Sequence, residues 1–273
     1  MSKVNFAFFG TPDVASETLE ILKEAGFLPS LIVTSPDKPQ GRKMFVTPPP
    51  VKVWAEKNNI NYIQPETLEE KSFHGFDLFI IVAYGKILPE NILNIPKLGS
   101  INIHYSLLPK YRGAAPVESA ILNGDTETGV VIQKMQFELD SGPILAEESV
   151  NILPYETAPE LRARLIKIGG ELLVKTLPKI VAGDVRHKMQ DESKATYSKK
   201  IKKEDGQIDL NDNPIKNYNK FRAYALWPRT FFFKNNKRII VTEAILENGE
   251  FIIRKVVPEG KKEIIYKDLK LQN

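Results

Sequence analysis

Asn102 and His104 stand two residues apart in the stretch Ser100-Ile101-Asn102-Ile103-His104, so on an extended backbone both side chains leave the same face. A carboxamide beside an imidazole can polarise one carbonyl oxygen and hold the negative charge that oxygen acquires when its carbon is attacked. His104 can also donate a proton. A carboxylate would complete such chemistry. Asp140, in Glu138-Leu139-Asp140-Ser141-Gly142-Pro143, falls in a tight turn after a strand, where it can orient an imidazole and relay a proton from an attacking amine. Each residue alone has a plainer reading: a turn-capping Asn, a satisfied core His, an ordinary Asx-turn. A metal is not expected, because no third histidine lies near and no paired ligand spacing is present.

The elements that must position these residues alternate in type. Val4–Phe9 is a β-branched and aromatic run ending in Gly10-Thr11-Pro12-Asp13, and Val14–Ala25 places apolar residues at helical spacing. Strands are expected at Leu31–Thr34, Asn61–Ile63, Asp77–Tyr84, Gly99–His104, Gly129–Met135 and Ile144–Ile152. Helices are expected at Val51–Lys57, Pro116–Leu122 and Ala158–Val181. Continuous apolar strands between helices indicate a mostly parallel sheet covered on both faces, an α/β, doubly wound, Rossmann-like fold. Such sheets bind ligands at the carboxyl ends of their strands, and His104 ends one. Residues 1–183 are read as this catalytic domain, 184–196 as a polar linker, and 197–273 as a smaller β-rich, OB-like C-terminal domain with strands at Arg238–Val241 and Phe251–Val257.

The chain of 273 residues has no cysteine, which excludes disulfides, thiolate metal sites and cysteine nucleophiles. No stretch has the length needed to cross a bilayer or to serve as a signal peptide, so a cytoplasmic protein without membrane contact is expected. Charge is uneven: Met1–His187 has 19 Lys and Arg against 22 Asp and Glu, whereas Lys188–Asn273 has 19 against 12. A basic tail on a near-neutral body suits a polyanionic partner, although a solvated lysine-rich surface would look the same.

The motifs resemble those of one family over nearly the whole chain. HYSLLPKYRGAAP with the following LDSGPIL turn is similar to the signature of enzymes that transfer a formyl group from 10-formyltetrahydrofolate, and Gly113-Ala114-Ala115-Pro116 resembles their methionyl-tRNA formyltransferase branch. FFGTPDVAS, SPDKPQGRK, TPPPVK, VAYGKILP and ALWPRTFF extend the resemblance from the first strand into the tail. The family's catalytic trio falls on Asn102, His104 and Asp140. The resemblance implies folate binding near Tyr84, Ser106, Leu107, Leu108 and Pro109, residues that sheet-end packing alone would also explain. It implies further that the long loop Thr34–Pro50 meets the acceptor end of initiator methionyl-tRNA through Lys38, Arg42 and Lys43. No metal and no obligate protein partner is implied.

Two departures from the family pattern carry expectations. Tyr105 stands where a small residue is usual, which predicts a narrower pocket. The connection between Val241-Thr242-Glu243-Ala244 and Pro258-Glu259-Gly260 is short, so the tail domain looks abbreviated. The runner-up activity is formylation of a nucleotide-linked amino sugar, which needs no tRNA platform and leaves the basic loop unexplained. A binding protein without activity would leave the intact trio unexplained.

Overall fold

The computed structural model describes residues 4–41 and 44–270. Its elements follow in chain order. The first is β1 (Phe6–Gly10), then α1 (Asp13–Glu24), β2 (Leu31–Val33), β3 (Lys38–Gln40), β4 (Phe45–Thr47), α2 (Pro50–Lys57), β5 (Tyr62–Ile63), β6 (Leu78–Val82), α3 (Glu90–Leu93) and β7 (Ser100–His104). Next come β8 (Arg112–Gly113), α4 (Pro116–Leu122), β9 (Glu127–Lys134), β10 (Ile144–Asn151) and the long α5 (Ala158–Ala182). The tail contributes β11 (Tyr197–Ser198), α6 (Pro214–Ala223), β12 (Phe231–Lys234), β13 (Lys237–Glu247), β14 (Glu250–Pro258), β15 (Ile264–Ile265) and α7 (Tyr266–Lys270).

The chain divides into two compact units. One comprises the chain up to Arg112 with Gly129–Ser149 and Arg164–Thr196; the other comprises Gly113–Thr128, Val150–Ala163 and the chain from Tyr197 onward. In the first, seven strands order β10-β9-β7-β6-β1-β2-β5. β5, β2, β1, β6 and β7 pair in parallel, and β9 adds antiparallel to β7. β1 and β6 are buried along their whole length, as their unbroken apolar sequences require of central strands covered on both faces. Phe9, Phe73, Phe79 and Tyr84 form an aromatic cluster on one face, with Phe9 and Tyr84 edge to face at 5.5 Å.

α5 closes against this sheet through a glycine. A Cβ on Gly169 would lie 3.0–3.4 Å from Val130, Ile103 and Tyr105, so the bare backbone lets the helix approach β7 and β9. That proximity offsets the roughly 1 kcal/mol a mid-helix glycine costs relative to alanine.

The expected strands and helices of this unit are present with ends shifted by one or two residues. Inside the loop 34–50 the chain forms an additional hairpin, β3 with β4. Its base is held by Lys52, which bonds Asp37 at 2.7 Å, and by Gln64, which donates to Asp37 and to the Ser35 carbonyl. Lys52 and Gln64 together hold the Asp37 carboxyl below its ordinary range.

The second unit contains the antiparallel sheet β12-β13-β14-β15. Asn248 and Gly249 both take positive φ, 51° and 80°, and join β13 to β14 in two residues, as an Asn-Gly hairpin turn does. The sequence pattern did not suggest α6, which begins at a capping Asn213 whose side chain accepts from the Ile215 and Lys216 amides.

Candidate active site

β7 delivers Asn102 and His104 to one face of the first unit's sheet. Opposite them on β9, Asn102 pairs in register with Gln133 and His104 with Val131. His104 is 5% exposed, and its Nε2 lies 3.0 Å from the main-chain oxygen of Tyr111. A carbonyl oxygen can only accept, so Nε2 carries the hydrogen and Nδ1 is the nitrogen left for chemistry.

Nδ1 faces the carboxylate of Asp140, with Oδ2 at 3.6 Å. That distance is long for a direct hydrogen bond. Protonation of Nδ1 makes it an ion pair. The other carboxylate oxygen, Oδ1, accepts from Gln133 Nε2 at 2.8 Å.

Asp140 itself sits at φ 49°, a left-handed conformation that Asp and Asn adopt more readily than other side chains. The turn is closed by Ser141, whose amide and hydroxyl both reach the Glu138 carbonyl. Gly142 is required by space: a Cβ there would lie 1.7 Å from the Lys134 carbonyl oxygen.

Beyond the turn, Gln190 donates at 2.8 Å to the carbonyls of both Asp140 and Gly142. Its own oxygen accepts from Arg112 Nε and Nη2 at 3.1 and 2.8 Å. Arg112 is 1% exposed, and its guanidinium also forks onto both oxygens of Glu192 at 2.6 and 2.8 Å. Arg112 holds the Glu192 carboxyl below its usual range. A lowered value means the pair's stabilisation is complete above the unfolded carboxylate range and is lost only as pH falls through the lowered one. Residues 184–196, read as a linker, thus carry two members of the network that holds the Asp140 turn.

The other expected site residues divide. Ser106 is fully buried and its hydroxyl donates to the Lys110 carbonyl at 2.5 Å. Leu108 packs on Val131 and Ile144, while Leu107 and Pro109 are half-buried beside them. The Tyr84 ring belongs to the aromatic cluster, and burial pushes its phenol up. Its hydroxyl has no hydrogen-bond partner among the described residues. Lys38 is exposed on β3, in a hairpin whose far side exposes Met44, Phe45 and Val46. Arg42 and Lys43 lie outside the described residues.

Tyr105 corrects the expectation of a narrowed pocket: its ring lies by Gly169 of α5. Side chains alternate along the strand, so the residue after His104 leaves the opposite face. The sequence reading missed Gln133, Gln190 and Arg112. Gln133 had one visible signal, an amide directly after the buried run Val130-Val131-Ile132.

Among the described residues no group of three or more His, Asp or Glu side chains could hold a metal ion, and no helix is long and apolar enough to cross a membrane.

A family model described as formyl transferase matches residues 2–177, and one described as formyl transferase, C-terminal domain, matches residues 200–268. A methionyl-tRNA formyltransferase of Thermotoga sp. (strain RQ2) is 43% identical over 255 residues, spanning 90% of this chain and 82% of the relative. Two solved structures share the fold. An N-formyltransferase from Helicobacter canadensis, in complex with folinic acid and dTDP-3-aminofucose, superposes with TM-score 0.72 at 20% identity over 96% of this chain and 98% of that one. A methionyl-tRNA formyltransferase from Clostridium thermocellum gives 0.63 at 16% over 96% and 99%.

The turn geometry generates a direct test. Gly142→Ala should lower stability by at least about 1 kcal/mol, since the clash is with backbone and cannot be relieved by a rotamer change. Urea denaturation measures it, and an unchanged midpoint would show that the Asp140 turn can move aside freely.

Proposed function

The chain belongs to the formyl transferase family, and from that premise we propose that it moves the formyl group of 10-formyltetrahydrofolate to the α-amino group of methionine on initiator methionyl-tRNA. The observation that carries the acceptor is the extent of the likeness to a methionyl-tRNA formyltransferase, which runs through both units rather than the catalytic motif alone.

The chemistry assigned to this chain's residues follows from their geometry. The Asn102 amide and a protonated His104 Nδ1 would donate to the formyl oxygen as the methionyl amine attacks its carbon, stabilising the oxyanion. Asp140 would take the proton that the amine loses. As the bond from the carbon to N10 breaks, N10 gains a proton that His104 can supply from Nδ1, and the proton held by Asp140 then passes to Nδ1, restoring both groups. One bond forms and one breaks, and one proton leaves the amine while one reaches the departing nitrogen. The account needs no covalent intermediate on the protein, because positioning and oxyanion stabilisation are large terms in themselves.

The pterin is assigned to the neighbourhood of Tyr84 and Ser106–Pro109. The phenol of Tyr84, without a hydrogen-bond partner among the described residues, is one side-chain group there with hydrogen-bonding capacity to spare. Residues 1–183 would act as the catalytic domain and 197–273 as a tRNA platform, joined through 184–196. The platform's excess of positive charge suits the acceptor-stem phosphates, as do Lys38, Arg42 and Lys43 of the sequence segment 34–50. A protein with these substrates would work in the cytoplasm.

The competing acceptor is a nucleotide-linked amino sugar. Its support is the fold shared with the Helicobacter canadensis enzyme, and at 20% identity that likeness bears on the fold alone.

An assay with 10-formyltetrahydrofolate and a panel of charged initiator tRNA, charged elongator tRNA and amino-sugar nucleotides separates the readings. Formylation of charged initiator tRNA is expected, with His104→Ala and Asp140→Ala each lowering turnover at least about a hundredfold. Turnover confined to a sugar nucleotide would overturn the acceptor, and wild-type turnover in either variant would overturn the site.

The basic segment 34–50 gives a separable prediction. Replacing Arg42 and Lys43 with alanine should raise the KM for tRNA and flatten its salt dependence, because fewer phosphates are neutralised. The folate KM should not move. Identical tRNA kinetics across a salt series would remove the loop from the interface.

A further inference from the structure

Gln133 is 1% exposed and has no assigned role in the reaction. It lies directly across from Asn102, so its side chain shares the face that carries Asn102 and His104. Its Nε2 donates to Asp140 Oδ1 at 2.8 Å. The amide cannot be turned around, because a carboxylate oxygen accepts and does not donate. The other carboxylate oxygen, Oδ2, is the one facing His104 Nδ1. Holding one oxygen of a planar carboxylate aims the other.

On stability the glutamine is divided: its Nε2 bond to a charged carboxylate contributes, and its other end costs. Its Oε1 is buried and finds no hydrogen-bond partner among the described residues, a situation that costs about 1–3 kcal/mol. A methionine of similar length would fill the same space without that cost, while taking the donor away from Asp140 Oδ1.

The backbone of the Asp140 turn is held separately, by Gln190 on the carbonyls of Asp140 and Gly142. Gln190 therefore holds the turn's backbone, and Gln133 holds one oxygen of its carboxylate.

We propose that Gln133 is a positioning residue for formyl transfer, acting through Asp140 by holding Oδ1 so that Oδ2 faces His104 Nδ1. The proposal rests on the reading of Asp140 as the proton-transfer group. It assigns Gln133 no contact with either substrate.

A double-mutant cycle with thermal melts tests it, using Gln133→Met, Asp140→Ala and the double variant with 10-formyltetrahydrofolate and charged initiator tRNA. Gln133→Met should lower kcat about tenfold, within the range of coupling between contacting groups. The KM for each substrate should stay within about twofold, and the melts should show the variant folded at the assay temperature. In the Asp140→Ala background the same substitution should cost nothing further, because the group it acts through is gone. Gln133→Asn, one methylene too short to reach Oδ1, should reproduce the kcat loss and supplies the test if the methionine variant does not fold.

Unchanged kcat in Gln133→Met, or an equal loss with and without Asp140, would overturn the proposal while leaving a large Asp140→Ala effect intact. Wild-type turnover in Asp140→Ala would overturn the underlying assignment and this inference with it, a result distinguishable from the first two.

Discussion

The hydrogen bond from His104 Nε2 to the Tyr111 carbonyl, 3.0 Å long and fully interior, sets the terms for everything around it. It fixes the tautomer, turns Nδ1 toward Asp140 and decides which nitrogen can exchange a proton. The carbonyl is itself held. Tyr111 adopts φ 59°, and its amide donates to Thr196 Oγ1 while the Arg112 amide donates to the Thr196 carbonyl. Left-handed backbone in a non-glycine residue costs on the order of 1–3 kcal/mol and persists where its surroundings over-determine it. Here those surroundings come from a segment more than eighty residues further along the chain.

The same two-residue segment holds the second half of the site. Tyr111 orients the imidazole, and the next side chain, Arg112, fixes Gln190, which fixes the Asp140 turn. His104 and Asp140 therefore sit on a common support rather than on two loops that could drift apart. The buried guanidinium is tolerated because it is paired and hydrogen-bonded. Removing a partner would leave a charge stranded inside the protein.

Much of this was legible in the residues. Continuous apolar strands gave the parallel sheet. The two-residue spacing put Asn102 and His104 on one face, and Asp-Ser-Gly marked the turn that holds Asp140. What escaped the sequence was the support that distant chain gives to the site. Arg112 meets Gln190 and Glu192 across nearly eighty residues, and no local pattern announces that pairing. Tyr105 looked like an obstruction because composition shows size without direction. The Ser106 hydroxyl donates within its own loop to the Lys110 carbonyl, a bond that the residue types alone do not announce. Gln133 was hidden because a single amide in an apolar strand reads as an edge of the pattern, and only the register across to Asn102 gives it a place.

The most direct test of this account is the protonation of His104 observed by nitrogen-15 NMR in uniformly labelled protein. With three histidines in the chain, comparison with His104→Gln assigns the signals. At a pH where the ring is neutral, the account predicts a hydrogen on Nε2 and a bare Nδ1. A neutral ring carrying its hydrogen on Nδ1, with Nε2 unprotonated, would contradict it, because the Tyr111 carbonyl could then no longer be the group that orients the imidazole.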